Sequence, residues 1–148
     1  KIDAADFMDN TFGLDITRYA GELLPARSGA YTRYIHALIT QAQYSGNEGR
    51  SALYTLTLRP WTWLMSQTRN YRIHQNQTAV QTIRQVLEAY GYPFEFHLER
   101  NYPSLDYQVQ YGESDYDFMA RLAQEHGINL HYRHDEQDRG LSARPDRG

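Results

Sequence analysis

Hydrophobic and polar residues alternate at every second position in several short stretches of this chain, as strands with one buried face require. The clearest stretch is 51–59, where one face carries Ala52, Tyr54, Leu56 and Leu58 and the other carries Leu53, Thr55, Thr57 and Arg59. The pattern predicts that Leu56 and Leu58 are buried and that Thr55 and Thr57 tolerate substitution better.

Further strands are predicted on both sides of this stretch. Residues 33–44 are rich in β-branched and aromatic side chains, and the segment SGNEG, with glycines on either side of Asn47, separates them from 51–59. Because glycine reaches positive φ at little cost, this spacing predicts a β-hairpin. Residues 12–21 offer a third strand for the same sheet, and 94–98, 106–111 and 128–134 alternate in the same way.

Two segments have helical periodicity instead. Thr78 and Gln81 form a potential capping box, followed by the apolar stripe Ile83, Val86, Leu87 and Tyr90 and by the terminators Gly91 and Pro93. A second helix is predicted over 115–126, with Ser114 as the N-cap, the apolar stripe Phe118, Met119, Leu122 and Ala123, and Gly127 just beyond its end. Pro60 predicts the start of a short helix or turn over 60–67.

Glu113, Asp115 and Asp117 place three carboxylates within five positions, and they admit three interpretations. An EF-hand calcium loop requires glycine at its sixth position and glutamate at its twelfth, but counting from Glu113 these positions hold Phe118 and Gln124. A catalytic acid and base would need a cleft and perturbed pKa values. The interpretation we favour is a helix start, where anions offset the positive end of the dipole.

This helix-start interpretation makes quantitative predictions. Asp117 lies four residues before Arg121, which predicts an ion pair along the helix. Loss of the cap in Ser114→Ala should lower the free energy of unfolding by about 0.5–2 kcal/mol. Asp115→Asn should lower it by only a few tenths to about 1 kcal/mol.

Composition excludes several functional classes. The formal net charge of the 148 residues is -3, which does not favour general nucleic-acid binding, and there is no cysteine for a disulfide or a thiolate metal site. No apolar run is long enough to span a membrane. The first residue is not Met and no signal-type apolar core follows it, so we expect the chain to be part of a longer protein.

Other candidate chemistry is sparse. On a strand His131 and His134 fall on opposite faces, and the motifs of serine hydrolases, P-loops and dinucleotide-binding folds are missing. The prediction is therefore no catalytic residue, no metal site and no cofactor. Trp61 and Trp63 could form a sugar-stacking platform, but the neighbouring Leu64 and Met65 favour a buried plug against the hairpin. The 13 tyrosines suit either strands or surfaces that a partner covers.

The order of these motifs resembles that of the VgrG family, the spike proteins of type VI secretion systems, which are akin to the hub proteins of contractile phage tails. The resemblance covers about residues 2–134. It rests on the segments RYIHALITQ, LYTLTLRPWTWLM, NYRIHQNQTAVQTIRQVL and DYQVQYGESDYDFMARLAQEHGINLHY taken together.

The resemblance implies an α+β fold with antiparallel, barrel-like hub domains and inserted helices. It also implies a structural, non-enzymatic role. Three chains would form a hub on the Hcp tube, assembled in the bacterial cytoplasm, and the spike would carry effectors or a PAAR tip out of the cell into a target cell.

The domain organisation follows from the same resemblance. Residues 1–60 would end a first, incomplete barrel-like domain, 61–93 would be a helical connection, and 94–134 would begin a second β domain that contains the helix 115–126. The polar segment 135–148 is predicted to be a disordered tail, because it has almost no apolar content.

Two expectations remain open at this stage. The alternative function is a carbohydrate- or peptidoglycan-binding module, which the aromatic content suggests. In addition, a chain that lacks part of each barrel should have open sheet edges, with YIHALITQ as an adhesive one. We therefore expect the isolated chain to pair with other copies, swap strands or form an oligomer unlike the trimer.

Overall fold

The computed structural model describes the backbone of residues 12–17, 32–134 and 139–145, and the side chains of 35–134 and 141–145. Residue contacts divide the chain into two compact units. The first contains the strands before Trp61 and the last residue of a later strand, His134. The second contains Trp61–Arg133 and the segment after residue 137.

The first unit is one three-stranded sheet. Strands β1 (Phe12–Thr17), β2 (Thr32–Glu48) and β3 (Ser51–Arg59) lie in the order β1-β2-β3, and both pairings are antiparallel. The predicted hairpin is confirmed: the ladder continues to the Glu48–Ser51 pair, and Gly49 makes the turn with φ of +61°. The predicted 12–21 strand is confirmed over Phe12–Thr17, and residues 18–21 lie outside the described residues.

The predicted burial of Leu56 is wrong, because its side chain is 38% exposed, and Leu58 is only half-buried. The strands β1, β2 and β3 form a single sheet, and among the described residues of this unit no helix or second sheet covers either face. Thr55 is exposed as well, and therefore the alternation of side chains does not distinguish a buried face here.

The second unit begins with a 3₁₀ helix, Trp61–Gln67, and contains two α-helices, α1 (Ala79–Glu88) and α2 (Asp115–Glu125). Strands β4 (Arg69–Thr78) and β6 (Ser104–Ser114) form an antiparallel two-stranded sheet. Strands β5 (Phe94–Phe96), β7 (Ile128–His134) and β8 (Arg139–Pro145) form the second sheet in the order β5-β8-β7.

The core of this unit lies where both helices meet the 3₁₀ helix and the β4–β6 sheet. Its largest fully buried apolar side chains are Phe118, Met65, Ile83, Leu87, Met119 and Leu122. The predicted apolar stripes of both helices are therefore confirmed, with Tyr90 only half-buried at the end of the first. The capping box of Thr78 and Gln81 is also confirmed, since each side chain accepts a hydrogen bond from the other residue's backbone N–H.

Three predictions about this region require correction. The connection 61–93 is not purely helical, because β4 occupies ten of its residues. The tail 135–148 is not disordered over Arg139–Pro145, where β8 pairs with β5 and buries Leu141 and Ala143. Strands β5 and β8 are parallel rather than antiparallel, and the three described sheets are open rather than closed into barrels.

Candidate functional site

The acidic cluster lies where β6 ends and α2 begins. Ser114 is the N-cap of α2: its side chain accepts a hydrogen bond from the backbone N–H of Asp117 at 3.0 Å. Asp115 and Asp117 occupy the first turn, and Gly127 follows the helix with φ of +63°. The helix-start interpretation of the cluster is thus confirmed in its geometry.

Asp115 is much less exposed than a first-turn aspartate usually is, with 2% of its surface accessible. Its Oδ1 accepts hydrogen bonds from Asn70 Nδ2 and Gln110 Nε2, both at 2.7 Å, and its Oδ2 accepts one from the Tyr90 hydroxyl at 2.8 Å. These donors come from β4, β6 and the segment after α1. We call Asn70, Tyr90, Gln110 and Asp115 the carboxylate lock.

The lock keeps Asp115 ionised in a buried position. Burial raises the pKa of the Asp115 carboxyl. The hydrogen bonds from Gln110, Asn70 and Tyr90 and the positive charge of Arg72 lower the pKa by more than burial raises it, so the net shift is downward. Burial and Asp115 together raise the pKa of the Tyr90 phenol against the opposing effect of Thr68, which keeps this donor protonated. Because the Asp115 carboxylate already accepts three hydrogen bonds, it is suited to holding β4, β6 and the segment after α1 together. It is not suited to accepting a proton from a substrate.

The predicted Asp117–Arg121 pair is wrong. Arg121 instead contacts Glu113, with Nη2 2.5 Å from Oε1, and Glu125, with Nη1 3.4 Å from Oε1. Asp117 accepts a hydrogen bond from the Ser114 hydroxyl at 2.7 Å. A bulge explains the change, because the ladder register shifts beside Gly112, whose φ of +65° is typical of a bulge glycine, and Glu113 then reaches Arg121.

Trp61 is buried, and its ring stacks on Tyr92 with a centroid distance of 5.1 Å. Its ring also lies 6.4 Å from that of Tyr90. A ring that stacks on a sugar must have an exposed face. Because Trp61 is buried against Tyr92, it is not available for sugar stacking. The buried Trp61 side chain therefore packs against Tyr90 and Tyr92, which belong to the same unit.

The histidines do not form a metal centre in the described part of the chain, where no three or more His, Asp or Glu side chains cluster suitably. The backbone N–H of His36 donates to His134 Nδ1 at 3.2 Å. Burial, and after it the neighbouring side chains of Arg144, Arg133 and His97, lower the pKa of His131. Nearby cations of this kind repel a metal ion rather than help to bind one.

A shallow groove of about 340 Å³ runs along α2 and the start of β7. It is lined by Tyr116, Ala120, Ala123, Gln124, Ile128 and Leu130, together with Gly127 and Asn129. This lining supplies neither a carboxylate nor an imidazole, so the groove has no acid–base pair for catalysis.

Sequence reasoning missed one prominent surface. On the β4–β6 sheet the inward positions carry the buried amides Gln108 and Gln110, while large apolar side chains point outward. The outward set is Tyr71, Ile73, Tyr107, Val109 and Tyr111, with Gln75 beside them in the ladder. We call these six residues the tyrosine face. The segment DYQVQY alternates clearly, but alternation alone predicts that its polar positions lie outside.

The comparison with protein families decides the affiliation. A profile described as phage tail baseplate hub (GPD) matches residues 2–144, nearly the entire chain. The chain belongs to the phage tail baseplate hub family. The resemblance inferred from the sequence motifs is thereby confirmed, and so is the α+β, hub-like fold class.

Relatives within this hub family include type VI secretion spike proteins. The type VI secretion system spike protein VgrG1c of Pseudomonas aeruginosa is 38% identical over 110 residues, which cover 74% of this chain and 15% of the relative. The actin cross-linking toxin VgrG1 of Vibrio cholerae is 27% identical over 136 residues, or 91% of this chain and 12% of the relative. The chain thus spans about a seventh of the length of these relatives.

A solved structure gives the same affiliation. The Escherichia coli c3393 protein, described as a component of the type VI secretion system with structural similarity to the T4 tail proteins gp27 and gp5, matches with a TM-score of 0.71 and 30% identity. The match covers 78% of this chain and 34% of that protein. In the described part of this hub-family chain, no helix is long and apolar enough to cross a membrane.

The N-cap yields the first stability prediction. Ser114→Ala should lower the free energy of unfolding by about 0.5–2 kcal/mol, because the N–H of Asp117 loses its acceptor. Urea denaturation followed by circular dichroism measures this change. Ser66→Ala, at an exposed site in the 3₁₀ helix, is the control and should have a smaller effect. Equal effects of the two variants would contradict the cap.

The carboxylate lock yields a pH prediction. A lowered folded-state pKa means that Asp115 stabilises the fold fully above its ordinary pKa of 3.8, and that this contribution is lost as the pH falls below that value through the folded pKa. Denaturation curves between about pH 5 and 2 should therefore show an acid-dependent loss. The loss should be smaller in Asp115→Asn, and identical slopes in both proteins would contradict the assignment.

Proposed function

We propose that this chain is a structural, non-enzymatic part of a type VI secretion spike hub. Three copies would assemble on the end of the Hcp tube, and the spike would carry effectors or a PAAR tip into a target cell. Assembly would take place in the bacterial cytoplasm before delivery. The observation that carries this proposal is the match of residues 2–144 to the hub family together with 38% identity to a secretion spike protein.

The geometry of the acidic cluster supports the structural role. A catalytic carboxylate must be able to reach a substrate, but Asp115 is buried and its contacts are occupied by Asn70, Gln110 and Tyr90. The relative named as an actin cross-linking toxin shares only 12% of its length with this chain. We therefore assign no enzymatic activity to this chain.

A secretion assay tests the proposal. The segment of VgrG1c that matches this chain is replaced by the corresponding residues of this chain, in a Pseudomonas aeruginosa strain that lacks its other spike genes. Because tube and spike leave the cell together, Hcp should appear in the culture medium at a level close to that of the parent spike. Intracellular Hcp and a cytoplasmic marker control for expression and lysis.

Two variants of the chimera make the result specific. Asp115→Ala breaks the carboxylate lock and should abolish secretion, whereas Asp117→Ala, at an exposed position of the same helix turn, should preserve it. A stable chimera, present at normal amounts in the cell but unable to release Hcp, would contradict the hub assignment.

A further inference from the structure

The shallow groove between α2 and β7 lies along the edge of a strand. Ala123 and Ile128 are the buried residues of its lining, and Tyr116 is 40% exposed on its helix side. The other side is formed by the consecutive residues 127–130. Because successive side chains of a strand point to opposite faces, a groove over one face would touch only every second residue. The groove, which we call the α2–β7 groove, therefore opens along the side of the strand, next to its backbone.

This edge of β7 has no strand paired with it in the described part of the chain. Strand β7 is the last in the sheet order β5-β8-β7, and the residues that line the groove include none from β8. The α2–β7 groove is therefore on the side of β7 that faces away from β8. A strand edge of this kind presents backbone N–H and C=O groups that can pair with another extended chain.

The two outer edges of this sheet differ in how well they are protected against pairing. Proteins protect exposed edges with charged residues, with proline or by keeping the edge strand very short. Strand β5 at the opposite edge has two of these features, since it contains only three residues and directly follows Pro93. Residues 127–130 contain neither a charge nor a proline. The start of β7 therefore keeps its capacity to accept another strand.

The lining of the α2–β7 groove indicates which kind of strand fits. Its residues are all uncharged: Tyr116, Ala120, Ala123, Gln124, Gly127, Ile128, Asn129 and Leu130. A charged side chain placed there would lose hydration without gaining an opposite charge, whereas an apolar side chain would gain contacts. The volume of about 340 Å³ is at the small end of the roughly 300–1,000 Å³ of small-molecule sites. The groove therefore suits one or two apolar side chains of an extended segment.

We propose that an extended, uncharged segment of a partner protein adds as a strand to the edge of β7 and places an apolar side chain in the α2–β7 groove. Backbone hydrogen bonds supply the affinity of such strand addition, and the side chain in the groove supplies its specificity. A second copy of this chain does not offer its β-prone, uncharged segment YIHALITQ, because that segment is already paired with β1 and β3. The inference goes beyond the proposed function and does not depend on the hub assembly.

Isothermal titration calorimetry of the full 148-residue chain with a synthetic peptide tests the proposal. The peptide is acetylated and amidated, and its threonines alternate with valine, leucine and valine, so that it is uncharged and extended. It should bind one-to-one. Replacing its central leucine by aspartate, or N-methylating its backbone amides, should each weaken binding at least about tenfold, because the first change removes the side-chain contact and the second the backbone pairing. No binding of the parent peptide, or equal binding of the N-methylated one, would overturn the proposal.

Two variants of the chain locate the binding. Ala120→Lys places a charged side chain in the groove and should raise the peptide Kd at least about tenfold, with an unchanged circular dichroism spectrum. Ala89→Lys, at the exposed end of α1, is the matched control and should bind like the parent chain. Equal binding by the two variants would contradict the site.

Light scattering of the chain without peptide identifies the source of the strand. A mass that Ala120→Lys leaves unchanged supports a partner protein. Self-association that this substitution abolishes would mean that a second copy occupies the groove, and it would overturn the assignment.

Discussion

Asp115→Ala should lower the free energy of unfolding by about 3–5 kcal/mol, because it leaves the buried Gln110 and the half-buried Asn70 and Tyr90 without their acceptor. Asn70, Gln110 and Tyr90 all direct a proton at this carboxylate, at 2.7–2.8 Å. Denaturation in urea at pH 7 measures the loss. Such a value is large for one substitution and reflects a broken buried network, not a missing surface charge.

The matched controls come from the same helix turn. Asp117→Ala removes an exposed carboxylate and should lower the free energy of unfolding by no more than about 1 kcal/mol. The loss of unfolding free energy in Asp115→Asn should lie between those of the two alanine variants. The amide oxygen of asparagine can still accept a hydrogen bond, but its NH₂ group is a donor and faces another donor. This loss exceeds the small effect that the sequence predicts for a solvated Asp115. Equal, small effects at both positions would contradict the lock.

Phe118→Ala should lower the free energy of unfolding by about 3–5 kcal/mol through the cavity that it leaves. The side chain is fully buried at the centre of the second unit, where its ring stacks on His74 at 5.6 Å and lies 5.4 Å from the Arg121 guanidinium. Thermal or urea denaturation measures the change.

Tyr116→Ala is the control for this core position. It removes a ring of similar size two residues away, but Tyr116 is 40% exposed, so the expected loss is below about 1 kcal/mol. If both alanine variants were equally stable, the assignment of the core to this face of α2 would be contradicted.

Local chemistry explains what the sequence could predict. The caps Thr78 and Ser114 and the stop at Gly127 depend on residues within four positions of each other, and all three have the predicted geometry. The hairpin turn at Gly49 is equally local. The apolar stripes of α1 and α2 follow from helical periodicity, which one segment contains in full.

The features that the sequence did not reveal depend on distant partners. Asn70 and Tyr90 lie 45 and 25 positions from Asp115 along the chain. The residues close to Asp115 in the sequence therefore do not indicate that its carboxylate is buried. Strand β8 has few apolar residues and pairs with β5 from far along the chain. The hydrophobic pattern does not predict strand β4, because one of its sides is entirely polar and the other has only two apolar residues, Tyr71 and Ile73.

The tyrosine face shows the limit of hydrophobic patterning most clearly. The rule that apolar positions lie inside fails for β6, where Gln108 and Gln110 are buried and Tyr107, Val109 and Tyr111 are exposed. The inward amides are used in hydrogen bonds, Gln108 to the Gln77 carbonyl and Gln110 to Asp115. A strand that exposes its apolar side suggests an assembly contact, which a single sequence does not display.

The hub assignment is tested most directly by electron cryomicroscopy of the chimeric spike bound to an Hcp tube. We expect density for three copies of residues 61–133 in the hub, next to the first ring of the tube, with α2 and the β4–β6 sheet recognisable in each copy. A spike in which this segment lies along the needle, away from the tube, or in a number of copies other than three would contradict the central claim.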